Sequence, residues 1–271
     1  MTDRYAVVGH PIGHSKSPRI HGMFAAQAGQ DMTYSAMLAP LTGFVATARE
    51  FFARGGRGMN VTVPFKGEAA AFADELDDAA RRADAANTLA LRDDGRIFGY
   101  NTDGAGLVRD LSINLGIELR GKRVLILGAG GAVRGVLSCL CASGVDSLRI
   151  LNRSIAKADA VVAQQPHTAL ARLTRVDDEP FDLIINCTSA GLSGEFVVVP
   201  EGVCGAHTVC YDMIYGSGAA AFARWAANHG AARFIDGLGM LVEQAAEAFF
   251  IWRGIRPETR NVITLLREEL N

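Results

Sequence analysis

The apolar positions of this chain fall into two textures that meet near residue 104. On the N-terminal side, short runs of strand character alternate with helix-like stretches: Tyr5–Val8, Met32–Leu38, Met59–Val63 and Thr88–Leu91. Asp93-Asp94-Gly95 lies between Thr88–Leu91 and Arg96–Phe98 and predicts a hairpin turn. Ser17-Pro18 reads as an N-cap followed by proline at the first helical position, starting a helix through Ala26. After Gly121 the chain becomes an alternating α/β series. Arg123–Leu127 is a strand with four consecutive apolar residues, a helix follows over Ala132–Ala142, and Leu148–Leu151, Asp182–Asn186 and Thr208–Tyr211 are further strands. Continuous apolar runs of this length suit a parallel sheet covered by helices on both faces. From Leu238 to Trp252, Leu238, Leu241, Val242, Ala245, Phe249 and Trp252 recur at helical spacing. The pattern predicts an α/β protein, and 271 residues suit two domains of about 100–150 residues each.

Composition narrows the partners. A net charge of -2 with no long block of like charge argues against nucleic acid, whose phosphates call for a clustered basic face. No apolar stretch reaches the ~18 residues of a membrane span, and Met1–Val8 lacks the features of a signal peptide. Five cysteines, an odd number, do not read as a disulfide framework. Cys139 and Cys141 are the close pair, and two residues apart on a helix they point in different directions. With no CxxC spacing, no metal is expected. The expectation is a reduced, cytoplasmic protein acting on a small molecule. A homodimer is compatible with the sequence, which does not fix the oligomeric state.

Val124–Val133 supplies a strand, a glycine turn and a helix start in the order a dinucleotide site needs. Gly128 allows the tight turn, Gly130 lets backbone approach a pyrophosphate, and the helix N-terminus offers free N–H groups. Val133 stands where the G-x-G-x-x-G pattern has its third glycine, and Gly131 is expected to relieve part of the same crowding. The following strand ends in Asn152-Arg153-Ser154, with Lys157 a turn later and no carboxylate for a ribose 2′-OH. A guanidinium there holds a 2′-phosphate, which favours NADP(H) over NAD.

The polar residues of the N-terminal half carry a second signal. Gly9–Pro18 places Ser15 and Ser17 between a strand and a helix, where hydroxyls suit a small oxygen-rich anion. Ser17 has an alternative reading as an N-cap, whereas Ser15 has none. His10 and His14 are candidate acids, although loop histidines are commonly solvated or structural. Asn60 and Thr62 share a strand face, and Lys66 follows Pro64 just beyond the strand end. Asn87 and Asp103 bracket the hairpin and are expected at its open end. Each could separately be a turn residue, since Asn and Asp are favoured in turns. Together they give amides, hydroxyls, a cation and a carboxylate suited to a polyol acid.

At this point the sequence resembles the shikimate dehydrogenase family along essentially its whole length. The motifs are Gly13-His14-Ser15-Lys16-Ser17-Pro18, Asn60-Val61-Thr62-Val63-Pro64-Phe65-Lys66, Asn87-Thr88 and Asn101-Thr102-Asp103-Gly104. They continue with Gly128–Ala132, Asn152-Arg153-Ser154, Asn186-Cys187-Thr188-Ser189, Tyr211–Tyr215, Asp236–Leu241 and Gln244-Ala245. The resemblance implies an N-terminal mixed α/β substrate domain completed by C-terminal helices (1–104 and 237–271) and a Rossmann-like, doubly wound NADP domain (105–236). It implies substrate contacts from Ser15, Ser17, Asn60, Thr62, Lys66, Asn87, Asp103, Tyr215 and Gln244, with Lys66 and Asp103 catalytic. NADP contacts are implied for Gly128, Ala129, Gly130, Gly131, Ala132, Asn152, Arg153, Ser154 and Lys157, with Met213 and Gly237 lining the nicotinamide. The implied reaction is reversible reduction of 3-dehydroshikimate to shikimate. Lys157 stands where some relatives have arginine, and lysine does not repeat arginine's fork. Competing readings are a dehydrogenase that also takes quinate, a non-catalytic NADP-sensing module, and a folate dehydrogenase. Lys66 with Asp103 speaks against the second, and the two-serine loop fits a small polyol better than a pterin. The Gly237–Gly239 stretch is expected, on glycine content, to be a flexible join.

Overall fold

The computed structural model describes residues 2–165, 167–176, 179–188 and 198–270. Ser189 of the Asn186-Cys187-Thr188-Ser189 motif lies outside the described residues. The chain divides into two compact units, one made of Met1–Gly106 and Val242–Glu269, the other essentially Leu107–Leu241.

In the first unit, β1 (Asp3–Gly9), β2 (Met32–Leu38), β3 (Gly56–Val61), β4 (Glu75–Leu76), β5 (Thr88–Leu91) and β6 (Ile97–Tyr100) form one sheet of order β2-β1-β3-β5-β6-β4. β1 runs parallel to β2 and β3, while β5 is antiparallel to both β3 and β6. Helices α1 (Ser17–Gln27), α2 (Phe44–Ala53), α3 (Lys66–Phe72), α4 (Asp78–Ala83) and α5 (Asp103–Arg109) connect or follow these strands. Ala6, Val8, Met59, Val61 and Leu89 share a buried cluster with Phe44, Ala48 and Phe51 of α2, Phe65 before α3, and Ala69 of α3. The hairpin between β5 and β6 is closed by Gly95 at φ 83°, a value that favours glycine. β3 starts earlier and ends earlier than Met59–Val63 suggested. Its glycine-rich beginning still pairs with β1, while Val63 and Pro64 turn outward and are exposed.

In the second unit, β7 (Arg123–Leu127), β8 (Ser147–Leu151), β9 (Leu170–Arg172), β10 (Leu183–Asn186), β11 (Val209–Asp212) and β12 (Arg233–Ile235) form an all-parallel sheet of order β12-β11-β10-β7-β8-β9. Counted from β7, that is the doubly wound order 3-2-1-4-5-6, which reverses direction between β7 and β10. Val124 and Ile126 belong to one core cluster and Leu125 and Leu127 to another. Both faces of β7 are therefore buried, which is why its apolar run is continuous. Helices α6 (Gly131–Ala142), α7 (Ile155–Gln164) and α8 (Ala220–Asn228) accompany these strands.

The chain ends in α9 (Leu238–Arg253) and α10 (Arg260–Leu270). Phe249 of α9 is fully buried, a contribution of about 1.5–3 kcal/mol, and meets Phe24 of α1 edge-on at 5.8 Å. Trp252 lies over Gly58, where a Cβ would come within 2.4 Å of Nε1, and that nitrogen donates to the Leu89 carbonyl at 3.0 Å. The missing side chain on β3 is what lets the indole reach the sheet. Among the described residues, no helix is long and apolar enough to cross a membrane.

Candidate active site

Lys66 owes its place to the residues just before it. Beyond β3, Phe65 is fully buried and stacks on Phe44 with ring centroids 5.5 Å apart. This anchor sets Lys66 as the first residue of α3. Asp103 opens α5, where a helix N-terminus favours a carboxylate. Lys66 Nζ and Asp103 Oδ2 are 2.5 Å apart, a short charge-assisted contact. The lysine side chain retains 28% of its exposure and the aspartate side chain 10%, so the lysine is the less buried partner.

A buried amide network stands behind this pair. Asn87 donates from Nδ2 to Asp103 Oδ1 at 2.8 Å and to Thr102 Oγ1 at 2.9 Å. Its Oδ1 accepts from the Thr102 N–H at 2.9 Å and from the Thr88 hydroxyl at 3.1 Å. These partners fix the amide orientation, because only oxygen can accept the Thr102 N–H. Asn60 donates from Nδ2 to Thr88 Oγ1 and to the Asn87 carbonyl, and its Oδ1 accepts from the Tyr34 hydroxyl at 2.6 Å. Both asparagine nitrogens thus have their two hydrogens engaged inside the protein. Gln244 of α9 closes one side: its Oε1 is 3.5 Å from Asn87 Nδ2, and its backbone packs on Gly106, where a Cβ would fall 2.7 Å from Gln244 N.

The two serines exchange the roles expected of them. Ser17 is the first residue of α1 rather than its cap; the cap position is Lys16, whose side chain does not cap. Ser15 instead accepts the Ser17 N–H at 3.3 Å, so the loop serine takes the structural task. Pro18 then falls second in the helix, within the first turn, where its missing N–H breaks no intrahelical bond. Thr62 is half-buried beside Gly9. His10 is tied through Nδ1 to the Ala39 carbonyl at 2.8 Å, a loop-fixing contact.

In the second unit, Gly128 takes φ 114° at the end of β7, and a Cβ there would lie 3.2 Å from Thr188, just past β10. Gly130 and Gly131 have open space where a Cβ would stand. Gly131 therefore relieves no crowding, contrary to expectation, and Val133 is simply a fully buried core residue. Ala129 and Ala132 are half-buried on either side of this opening. No side chain caps α6, whose N-terminus lies at the reversal point of the sheet. At the end of β8, Asn152 donates to the Ser154 carbonyl and Ser154 caps α7, while Arg153 and Lys157 are exposed.

The ends of β10, β11 and β12 carry a second polar cluster. Asp212 accepts from Asn186 Nδ2 at 3.1 Å and from the Ile214 N–H at 2.9 Å. Burial outweighs these donors, and with some help from Asp236 it pushes the Asp212 carboxyl up to about 6. Asp236 accepts from the Gly216 and Leu238 N–H groups. Between these carboxylates run the half-buried Met213 and Tyr215; burial raises the Tyr215 phenol. A Cβ on Gly237 would lie 2.4 Å from the Met213 carbonyl oxygen, and one on Gly239 would strike the Asp110 carboxylate. Neither glycine has positive φ. They are close-packing positions and not the flexible join expected from glycine content.

The structure adds residues that the sequence left unmarked. Thr88 and Thr102 orient Asn87, and Tyr34 holds Asn60. The threonines occur inside motifs, but Tyr34 sits in an ordinary strand run, and its nearness to Asn60 depends on sheet order.

Residues 7–89 match the shikimate dehydrogenase substrate binding domain, 111–198 the shikimate/quinate 5-dehydrogenase model, and 237–267 the shikimate 5'-dehydrogenase C-terminal domain. A shikimate dehydrogenase (NADP(+)) of Alkalilimnicola ehrlichii is 53% identical over 99% of this chain and 100% of its own length. The crystal structure of an Ael1 enzyme from Pseudomonas putida is 47% identical, with a TM-score of 0.93 over 98% of both chains. A shikimate 5-dehydrogenase from Thermus thermophilus, solved with NADP(H) and shikimate, is 30% identical, with a TM-score of 0.85 over 99% of this chain and 100% of that one. On these matches, which together span nearly the whole sequence, the chain belongs to the shikimate dehydrogenase family.

Proposed function

We propose that this protein is an NADP-dependent shikimate dehydrogenase that reversibly reduces 3-dehydroshikimate to shikimate. The observation that carries the reading is the half-buried Lys66, its ammonium held 2.5 Å from a buried Asp103, backed by an oriented Asn87. Residues 1–104 and 237–271 serve the substrate and 105–236 the cofactor.

The second unit's residues fit the dinucleotide. Gly130 and Gly131 leave an open cradle at an uncapped helix N-terminus, and Gly128 makes the turn that aims it. Gly128, Ala129, Gly130, Gly131 and Ala132 would hold the pyrophosphate. Asn152, Arg153, Ser154 and Lys157 would take the adenosine end, with Arg153 on the 2′-phosphate. Met213 and Gly237 would border the nicotinamide. When bound, NADPH supplies the hydride that reduces the ketone.

The chain's own task is to position the substrate and manage the proton. Ser15 and Ser17 hold the carboxylate, and Tyr215 is a further substrate contact. Asn60, Thr62, Asn87 and Gln244 meet the ring hydroxyls. Because Asn60 and Asn87 already use their N–H hydrogens internally, a substrate hydroxyl reaching them donates to oxygen or displaces an internal partner. As the carbonyl oxygen gains negative charge, the Lys66 ammonium stabilises it and delivers the proton. Asp103 keeps the ammonium aimed. In the oxidation direction Lys66 receives the hydroxyl proton.

The test is the initial rate of reduced-cofactor formation with shikimate or quinate, each paired with NADP or NAD. Turnover dominated by shikimate with NADP supports the reading. Comparable quinate or NAD turnover moves the chain to a broader dehydrogenase, and no turnover by folded protein removes the enzyme assignment.

A further inference from the structure

Tyr34 lies on edge strand β2, opposite Tyr5 in the β1–β2 register, and appears in none of the motifs that mark the site. Its hydroxyl donates to Asn60 Oδ1 at 2.6 Å. From Asn60 the donors continue in one direction: Asn60 Nδ2 to Thr88 Oγ1, Thr88 Oγ1 to Asn87 Oδ1, Asn87 Nδ2 to Asp103, with Lys66 at the end. Asn60 has no freedom to turn without breaking this order, because its oxygen is claimed by Tyr34 and both N–H hydrogens by the strand behind it.

The tyrosine is itself held. His21 of α1 is fully buried and stacks on the Tyr34 ring, with centroids 4.2 Å apart and planes 8° from parallel. His21 follows Ser17 by one helical turn, so one face of α1 carries both a proposed substrate serine and the ring that fixes Tyr34. The His21 ring also acts on the Asn60 side chain as a hydrogen-bonding neighbour, although neither ring nitrogen reaches full hydrogen-bond geometry. Burial raises the Tyr34 phenol well above its usual value, and the Ser17 hydroxyl is the group that offsets this. The phenol is therefore a donor at any working pH.

We propose that Tyr34 is a positioning residue for the reaction: its hydroxyl, aligned by His21, locks Asn60 between the Ser17 end of the site and the Asn87–Asp103–Lys66 end. The inference rests on the dehydrogenase reading and extends it to a residue that need not touch the substrate. Removing the hydroxyl withdraws the short bond on the Asn60 oxygen and leaves the amide held from its nitrogen side alone, which loosens recognition of a ring hydroxyl without touching the nucleotide site.

The experiment compares wild type, Tyr34→Phe, Asn60→Ala and the double variant in initial-rate assays with shikimate and NADP. Tyr34→Phe keeps the ring and its stack. The expected result is a KM for shikimate raised about tenfold, the size of one buried hydrogen bond left unmade, with the KM for NADP unchanged. In the Asn60→Ala background the same substitution should change the shikimate KM by less than about twofold, since the group it orients is gone. An unchanged shikimate KM in Tyr34→Phe, or an equal effect in both backgrounds, overturns the proposal. So does a parallel rise in both KM values, which marks a general structural loss. If Tyr34→Phe fails to fold, Tyr34 is structural and the proposal falls. Absence of shikimate turnover in the wild type overturns the dehydrogenase reading as well; normal wild-type turnover with an indifferent Tyr34→Phe overturns only this inference.

Discussion

Lys66 and Asp103 are 37 residues apart in the chain and 2.5 Å apart in space. The sequence marks both as polar residues of one set, but its hairpin bracket places only Asn87 with Asp103 and does not bring Lys66 to them. Their hydrogen-bond partners were not legible, because a threonine hydroxyl or a strand tyrosine acquires its role only when sheet order is known. His21 shows this most clearly: its ring is surrounded by Phe24, Tyr34, Phe249 and Trp252, from two helices and a strand. Burial lowers its pKa to about 3 from 6.5. In the unfolded chain the ring binds a proton below pH about 6.5, while in the folded chain it stays neutral. Stability therefore falls as pH drops from 6.5 toward 3, by about 1.4 kcal/mol per pH unit at most. A His21→Phe variant should lose that dependence, so its stability relative to wild type rises on acidification, read from denaturant midpoints at about pH 7 and pH 5. Asp212 has the opposite sign. Its carboxyl is raised to about 6 from 3.8, so the folded state holds the proton longer and stability falls as pH rises between those values.

Among the elements, β5 and β7 have the boundaries the sequence indicated, where burial covers most of the strand, and α9 extends one residue further. β2 also keeps its boundaries, although none of its residues is fully buried. Patterning blurred where a proline or glycine sets the edge, as at β3 and at the start of α1. Helices α3 and α4 are too short for a periodic signal, and β4 has two residues. The glycine loop was read correctly as a strand-to-helix turn, with one error of assignment: Gly128 makes the close contact, while Gly131 stands in open space. On the proposed reading, the loop after β8 carries the cofactor preference. Arg153 is exposed beside the Ser154 cap, so its guanidinium is available without cost to the fold. Replacing Arg153 with alanine should raise the KM for NADP about tenfold or more, the loss of one charge-assisted phosphate contact, and leave the KM for NAD nearly unchanged. Equal effects on both cofactors would mean that Arg153 does not read the 2′-phosphate.

For the whole molecule, the two sheets are built on different orders. The all-parallel sheet reverses order at β7 and β10, and Gly128 and Thr188 meet at that point. The mixed sheet brings its antiparallel hairpin beside β3, so Asn60, Asn87 and Asp103 join in one network. On the proposed reading, this network exists to hold an ammonium that gives and takes the reaction's proton. The decisive comparison is reduced-cofactor formation from shikimate and NADP by wild type and Lys66→Ala side by side, with folding of both checked by melting. Ready turnover is expected from the wild type, with kcat reduced by about 10²–10⁴-fold in the variant. A folded Lys66→Ala protein that turns over shikimate at near the wild-type rate would contradict the role given to Lys66.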